Sequence, residues 1–225
     1  MNIKYISLTG ADDNTPIGYL EAIQANYPTT EWAILMFPER EGANRNPSLA
    51  WREEFYKAKL TNKALHLCGT AINQLAEENV QLMKELDNYQ RVQINLKPRW
   101  ASDDFIKSLK VVVKKLPHIQ FITQHNEDNK TFFHYWDEVE NHAYLYDGSL
   151  GKGVSPESWQ APIKNKFCGY AGGLSPLNIK DNLQKIKSVI GSENVWIDME
   201  SGVRTNDNFD LNKVVDILTL VKKHS

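Results

Sequence analysis

About eight short apolar runs, each followed by a segment of helical or turn character, fill the 225 residues without a long linker or a break in composition. That alternation predicts an α/β fold closed as a (β/α)8 TIM barrel, a single domain over residues 1–225. The run Trp32–Phe37 (WAILMF) is hydrophobic at every position, as strands covered on both faces are. Two late runs, 167–171 and 195–199, each end in a small-residue turn ahead of a helix, the pattern of successive parallel strands. A doubly wound open sheet shares the alternation and is the competing architecture.

In order, Ile3–Leu8 is the first strand, closed by Thr9-Gly10, and Pro16 introduces a helix carrying Ile17, Leu20 and Ile23. After the second strand comes the polar loop PEREGANRNPS, where Ser48 is placed to cap a helix with Trp51 and Phe55. Ala64–Cys68 is the third strand; Ile72, Leu75, Leu82, Met83 and Leu86 then predict one long helix, interrupted in pattern by AEEN. Val92–Leu96 is the fourth strand, and Ser102 with Asp103 and Asp104 opens a helix that Pro117 ends. Ile119–Thr123 is the fifth strand, followed by irregular sequence with at most a short helix around 133–139. His142–Tyr146 is the sixth; the PESWQAPIK that follows has two prolines and room for a turn or two. The last two strands lead into helices opening near Pro176 and Asp210.

Composition narrows the function. Lys and Arg total 26 against 28 Asp and Glu, a formal net charge of -2, which makes no electrostatic case for nucleic acid or an anionic membrane. No apolar run approaches the roughly 20 residues that span a bilayer, and the N-terminal MNIKYISLTG enters a strand without a signal-peptide pattern. Cys68 and Cys168 sit inside apolar runs, as reduced buried thiols do, so the expected location is the cytoplasm. The expected assembly is a monomer or homodimer.

The paired turns Gly172-Gly173 and Ser201-Gly202 close neighbouring strands ahead of helical segments. Side by side they would form a cup of backbone amides suited to a phosphate group. The expected partner is therefore a small phosphorylated metabolite. No P-loop or dinucleotide fingerprint occurs, and no cofactor is expected. Polar residues gather at the predicted strand ends: Thr9, His66, Cys68, Asn95, Lys97, Gln124, His125 and Asp147. His66 and Cys68 share one face of their strand, yet no HxxxH or CxxC spacing accompanies them, so no metal is expected.

Three stretches in register carry a resemblance. AGGLSPLNI (171–179) is similar to the glycine-glycine-leucine-x-proline-x-asparagine-valine turn of phosphoribosylanthranilate isomerases, TIM barrels of tryptophan biosynthesis. IDMESGVR (197–204) is similar to their aspartate-x-serine-serine-glycine-valine-glutamate turn, and YLYDGSLGKG (144–153) resembles the end of their sixth strand. The resemblance implies phosphate binding by Gly172, Gly173, Ser201 and Gly202, and an Amadori isomerisation with Asp147 as general acid. The family's base is a cysteine ending the first strand; Thr9 stands there, and a threonine hydroxyl is too weakly acidic to replace it unaided. Asp12 or Asp13 is then the nearby carboxylate base, with N-capping the first helix as the alternative role. The family's arginine after the second strand implies Arg40 or Arg45 as a carboxylate contact; by strand-end position alone His66 and Cys68 are further substrate contacts, Cys68 with His66 near it being also an alternative source of the missing thiol. Two other readings stay open: a noncatalytic phosphometabolite-binding protein, and a lyase on the same scaffold, for which Lys97 is the nearest Schiff-base candidate.

Overall fold

A computed structural model describes residues 1–97, 101–149 and 153–224. Eight parallel strands close into a barrel in sequence order: β1 (Asn2–Thr9), β2 (Thr30–Met36), β3 (Lys63–Leu67), β4 (Arg91–Ile94), β5 (Gln120–His125), β6 (His142–Asp147), β7 (Cys168–Ala171) and β8 (Asn194–Met199). β8 pairs with β1 through Asn2↔Asn194 to Leu8↔Met199, and this closure excludes the open sheet. The helices are α1 (Ile17–Asn26), α2 (Leu49–Lys57), α3 (Thr70–Ala76), α4 (Val80–Leu86), α5 (Asp103–Lys115), α6 (Ile179–Ile190) and α7 (Leu211–His224).

Local chemistry explains the boundaries. Ser48 accepts a hydrogen bond from the Trp51 amide and Ser102 one from the Phe105 amide, each satisfying an orphan donor at a helix start. The single long helix expected over 72–86 is two. Glu78 adopts φ 52, outside helical space, and the Asn79 side chain accepts from the amides of Gln81 and Leu82 to start α4 anew. Between β5 and β6 the connection is a 3-10 segment, Lys130–Tyr135, and residues 153–167 between β6 and β7 form no α-helix. In that stretch Trp159 packs edge-on against Tyr170, covering the barrel where a helix would lie.

Apolar residues on the outward faces of the strands meet the helices in one continuous core, including Leu8, Ile34, Leu65, Val92 and Ile197. The barrel interior is different. Trp196 fills it together with Ile122, Ala143, Leu145 and Ala171. Toward the N-terminal mouth Arg91, 2% exposed, lies 4.2 Å from the Trp196 ring centre and pairs with Glu31 at 2.8 Å. Gln120 accepts from its Nε at 2.9 Å, and Ser7 donates to the same Glu31 carboxylate at 2.5 Å. A cavity of about 590 Å³ opens at this mouth against Tyr5, Arg91 and Gln120, but barrels of this architecture carry their chemistry at the C-terminal mouth. Among the described residues, no helix is long and apolar enough to cross a membrane.

Candidate active site

At the C-terminal mouth a cavity of about 150 Å³ opens between the ends of β3 to β8 and the loop after β2. Strand alternation supplies its floor: in β8, Trp196 and Asp198 point inward, one plugging the barrel and the next standing above it. In β6 the same logic brings up Leu145 and then Asp147. Two carboxylates from strands separated only by β7 therefore share one cavity.

Their surroundings differ. Asp147 accepts from the Ser149 amide (3.1 Å) and hydroxyl (2.7 Å) with one oxygen, and from the Gln124 amide nitrogen (3.3 Å) with the other. Asp198 is 8% exposed and accepts a 2.7 Å hydrogen bond from the Thr9 hydroxyl. Burial pushes its carboxyl up to about 7; the Thr9 bond opposes this, and the charges of Glu200, Glu31 and Asp147 add to it. Thr9, expected as the stand-in for a base, is thus a donor to a carboxylate. Asp198 itself escaped the sequence reading, although an acidic residue on the inward face of an apolar strand was the available signal.

Gly172, Gly173 and Ser201 line the cavity, and Gly202 packs beneath them. A side chain on Gly202 would place its Cβ 1.8 Å from the Leu174 carbonyl oxygen, so only glycine lets the two turns touch. Gly173 adopts φ 57 and lies against the Gly153 carbonyl. The amides of Gly172, Gly173, Leu174, Ser201 and Gly202 donate no hydrogen bond to another described residue. Leu150, Gly151 and Lys152 of the glycine loop lie outside the described residues.

The other expected residues divide sharply. His66 lines the cavity at 5% exposure; burial, with the Arg91 charge adding, lowers its imidazole to about 3, so the ring is neutral. Cys68 follows β3 and receives the Asn95 amide at 3.0 Å; burial pushes its thiol up to about 11, the wrong direction for a nucleophile. Asp13 faces α2, accepting from the Ser48 amide at 2.8 Å and from the Ser48 hydroxyl. Against the cost of burial, those bonds hold its carboxyl below the usual range; α1, the helix it is expected to cap, has Pro16 at its N-cap and no side-chain cap bond. Arg40 sits on the 3-10 turn Pro38–Arg40 with its guanidinium 5.2 Å from the Phe37 ring centre, off the cavity wall. Arg45 is the arginine on the wall. Lys97 is exposed beyond β4.

Arg45 belongs to a network of charges around the rim. It pairs with Glu200 at 2.7 Å and with Asp207 at 2.5 Å, while its amide donates to Asp12 at 2.8 Å and holds the residue at φ 72. Arg204 completes the ring by donating to the Gly10 carbonyl (2.6 Å) and pairing with Asp12 (3.3 Å). Glu200 and Arg204 stand where the resembling turn has serine and glutamate, so the departures pair across the loops after β1, β2 and β8. Among the described residues, no group of three or more His, Cys, Asp or Glu is arranged to hold a metal ion.

Comparison with known proteins agrees with the architecture. The chain is similar in fold to a GH113 beta-1,4-mannanase at 10% identity, covering 100% of this chain and 99% of that one with a TM-score of 0.57. It is also similar to a Rubisco-like protein from Rhodopseudomonas palustris at 8% identity and a TM-score of 0.51, spanning 65% of that chain's length. These likenesses concern the barrel alone. No curated protein matches by sequence. Residues 42–219 match the N-(5'-phosphoribosyl)anthranilate (PRA) isomerase family, and the chain belongs to that family.

Proposed function

We propose that this barrel binds a phosphorylated sugar-type metabolite and isomerises it, with Asp198 as general base and Asp147 as general acid. The observation that carries the reading is the placement of Asp198, held near neutrality by burial, in one cavity with Asp147 and the two glycine turns. A base poised near the working pH combines availability with strength.

In this scheme the phosphate accepts hydrogen bonds from the amides of residues 172–174 and 201–202, which donate to no other described residue. Asp147 gives a proton to the ring oxygen as the C1–O bond opens. The lone pair of the heteroatom on C1 replaces the broken bond with C1=N⁺ or C1=O. Asp198 then takes the proton from C2, the C–H pair forms C1=C2 as that π pair returns to the heteroatom, and protonation at C1 with loss of the C2 hydroxyl proton gives the ketose. Thr9 orients Asp198 and favours its ionised form, which supports a division of the family cysteine's place between two residues. Asp13 and Arg40 have no part in this scheme; Arg45 is the cation at the substrate's far end.

Complementation tests the reaction: the chain is expected to rescue a tryptophan auxotroph lacking the isomerase if the family's own substrate is used. Asp198→Asn and Asp147→Asn are each expected to lower turnover by about 10²–10⁴-fold, the usual weight of a general acid or base. Turnover unchanged in either variant sinks the assignment. A crystal soaked in phosphate with no anion between residues 172–173 and 201–202 removes the cup. Phosphate bound without any turnover favours the noncatalytic binding protein.

A further inference from the structure

Among the described residues, the charged groups on the cavity wall are the carboxylates of Asp147, Asp198 and Glu200 and a single guanidinium, that of Arg45. Every nitrogen of that guanidinium is already engaged. Nη1 donates to Glu200 at 2.7 Å, Nε donates to Asp207 at 2.7 Å, and Nη2 pairs with Asp207 at 2.5 Å. The backbone is pinned too, since the Arg45 amide donates to Asp12. Arg204 adds a positive charge nearby, but Asp12 at 3.3 Å and Asp207 at 3.4 Å meet it in turn. Two guanidiniums thus stand against three carboxylates, and this rim carries an excess of negative charge before any ligand arrives. Nor does Arg45 cancel Glu200 inside the cavity. Burial is the main cause that raises the Asp198 carboxyl, and Glu200 is the first of the neighbouring charges that add to it.

A ligand carboxylate beside Arg45 would bring a further negative charge to this wall, and it would gain the guanidinium only by displacing Glu200 or Asp207. An uncharged or cationic group meets no such opposition. We infer that Glu200 is a specificity determinant of the cavity: the phosphorylated metabolite held there has no carboxylate at the end facing Arg45, and an uncharged or cationic group takes that place. This rests on the reading of the β7–β8 turns as the phosphate site, and it specifies the other end of the ligand. The phosphate escapes the conflict because its donors are backbone amides of the turns. Glu200 occupies the place of a serine in the resembling turn, so the substrate of this chain is set apart from a phosphoribosylated anthranilate, whose ring carries a carboxylate. Glu200 acts here by its charge on the ligand's far end and moves no proton.

Calorimetric titration of the whole chain with inorganic phosphate, glucitol 6-phosphate and 6-phosphogluconate tests it. The last two are open chains of equal length with the same phosphate end, and at the other end one has a hydroxymethyl group and the other a carboxylate. Glucitol 6-phosphate is expected to bind about tenfold or more tighter than 6-phosphogluconate, the worth of one like charge close by in a partly exposed site. Glu200→Gln keeps the side-chain length and is expected to cut that ratio to about threefold or less. Asp207→Asn, at the more exposed partner of Arg45, is expected to cut it by a smaller factor. The ratio is the readout because losing a negative charge strengthens phosphate binding in both ligands alike. Glu39→Gln, on the 3-10 turn after β2 and bonded to Thr70, is expected to leave the ratio unchanged. If phosphate binds and the two polyol phosphates do not differ, or 6-phosphogluconate binds tighter, the charge filter is overturned and the phosphate cup stands. A preference that survives intact in both Glu200→Gln and Asp207→Asn also overturns the role of Glu200. If inorganic phosphate and both polyol phosphates all fail to bind, the parent reading fails.

Discussion

The two ends of the barrel both bury charged side chains and surround them differently. Toward the N-terminal mouth, Arg91 and Glu31 pair at 2.8 Å, Gln120 and Ser7 bond to them, and Tyr5 and Trp196 cover the guanidinium. Toward the C-terminal mouth, Asp198 is driven up to about 7 with a single hydroxyl to help it, and Asp147 shares its cavity. The lower end sets a cation against an anion, with Glu31 Oε2 and Arg91 Nη2 still lacking a hydrogen-bond partner among the described residues; the upper end sets two carboxylates, Asp147 and Asp198, in one cavity. The difference that bears on function is electrostatic: a buried carboxyl pushed up beside a second carboxylate in a cavity is the kind of perturbed group that marks a candidate site, whereas a matched ion pair is not.

Breaking the lower pair has the largest expected effect. Arg91→Met strands the buried Glu31 carboxylate and is expected to lower unfolding free energy by about 3–5 kcal/mol, read by urea denaturation. The upper end is expected to respond in the opposite sense. Because the folded state raises the Asp198 carboxyl from 3.8 to about 7, it keeps a proton that the unfolded chain has already lost between those values. Stability from this group is therefore full below pH 4 and declines as pH rises to 7. Asp198→Asn removes the decline and is expected to stabilise the protein by on the order of 2 kcal/mol at pH 8 and negligibly at pH 3.5. A variant less stable than the parent at pH 8 would place Asp198 with the matched charges of the lower end.

Smaller effects sharpen the boundary between site and scaffold. Asp13→Ala loses the bonds to Ser48 at the start of α2 and is expected to cost about 1 kcal/mol of stability without changing turnover or ligand affinity. Thr9→Val removes the donor to Asp198 and is expected to raise that group's titration midpoint by about one unit, moving the acid limb of any pH–rate profile upward.

The barrel was legible because its strands announce themselves locally. Runs such as WAILMF and IQFIT are apolar whichever way the chain packs, and Ser48 and Ser102 are caps by sequence position alone. The break between α3 and α4 was less so, since AEEN consists of acceptable helix formers until Glu78 takes a left-handed conformation and Asn79 caps the next helix. The glycine turns were readable as neighbouring turns, and the 1.8 Å approach a Cβ at Gly202 would make to the Leu174 carbonyl oxygen is a contact that the sequence did not announce.

The acid–base arrangement was half legible. Asp147 sits at a strand end beside glycines, a local signal. Asp198 gains its meaning only from burial and from Thr9 across the β1–β8 seam, 189 residues away in sequence. Arg40 and Arg45 were indistinguishable in the loop PEREGANRNPS; Glu200 and Asp207, distant in sequence, draw Arg45 to the rim. Cys68 and Asp13 looked chemically able, and burial and the helix cap respectively give each another task.

The titration of Asp198 tests the account most directly and requires no knowledge of the substrate. Carbon-detected NMR of the aspartate side-chain carboxyls across pH 3 to 9 is expected to show one signal with a midpoint near 7 that disappears in Asp198→Asn. An Asp198 carboxyl that titrates below about 5, in the ordinary aspartate range, would contradict it.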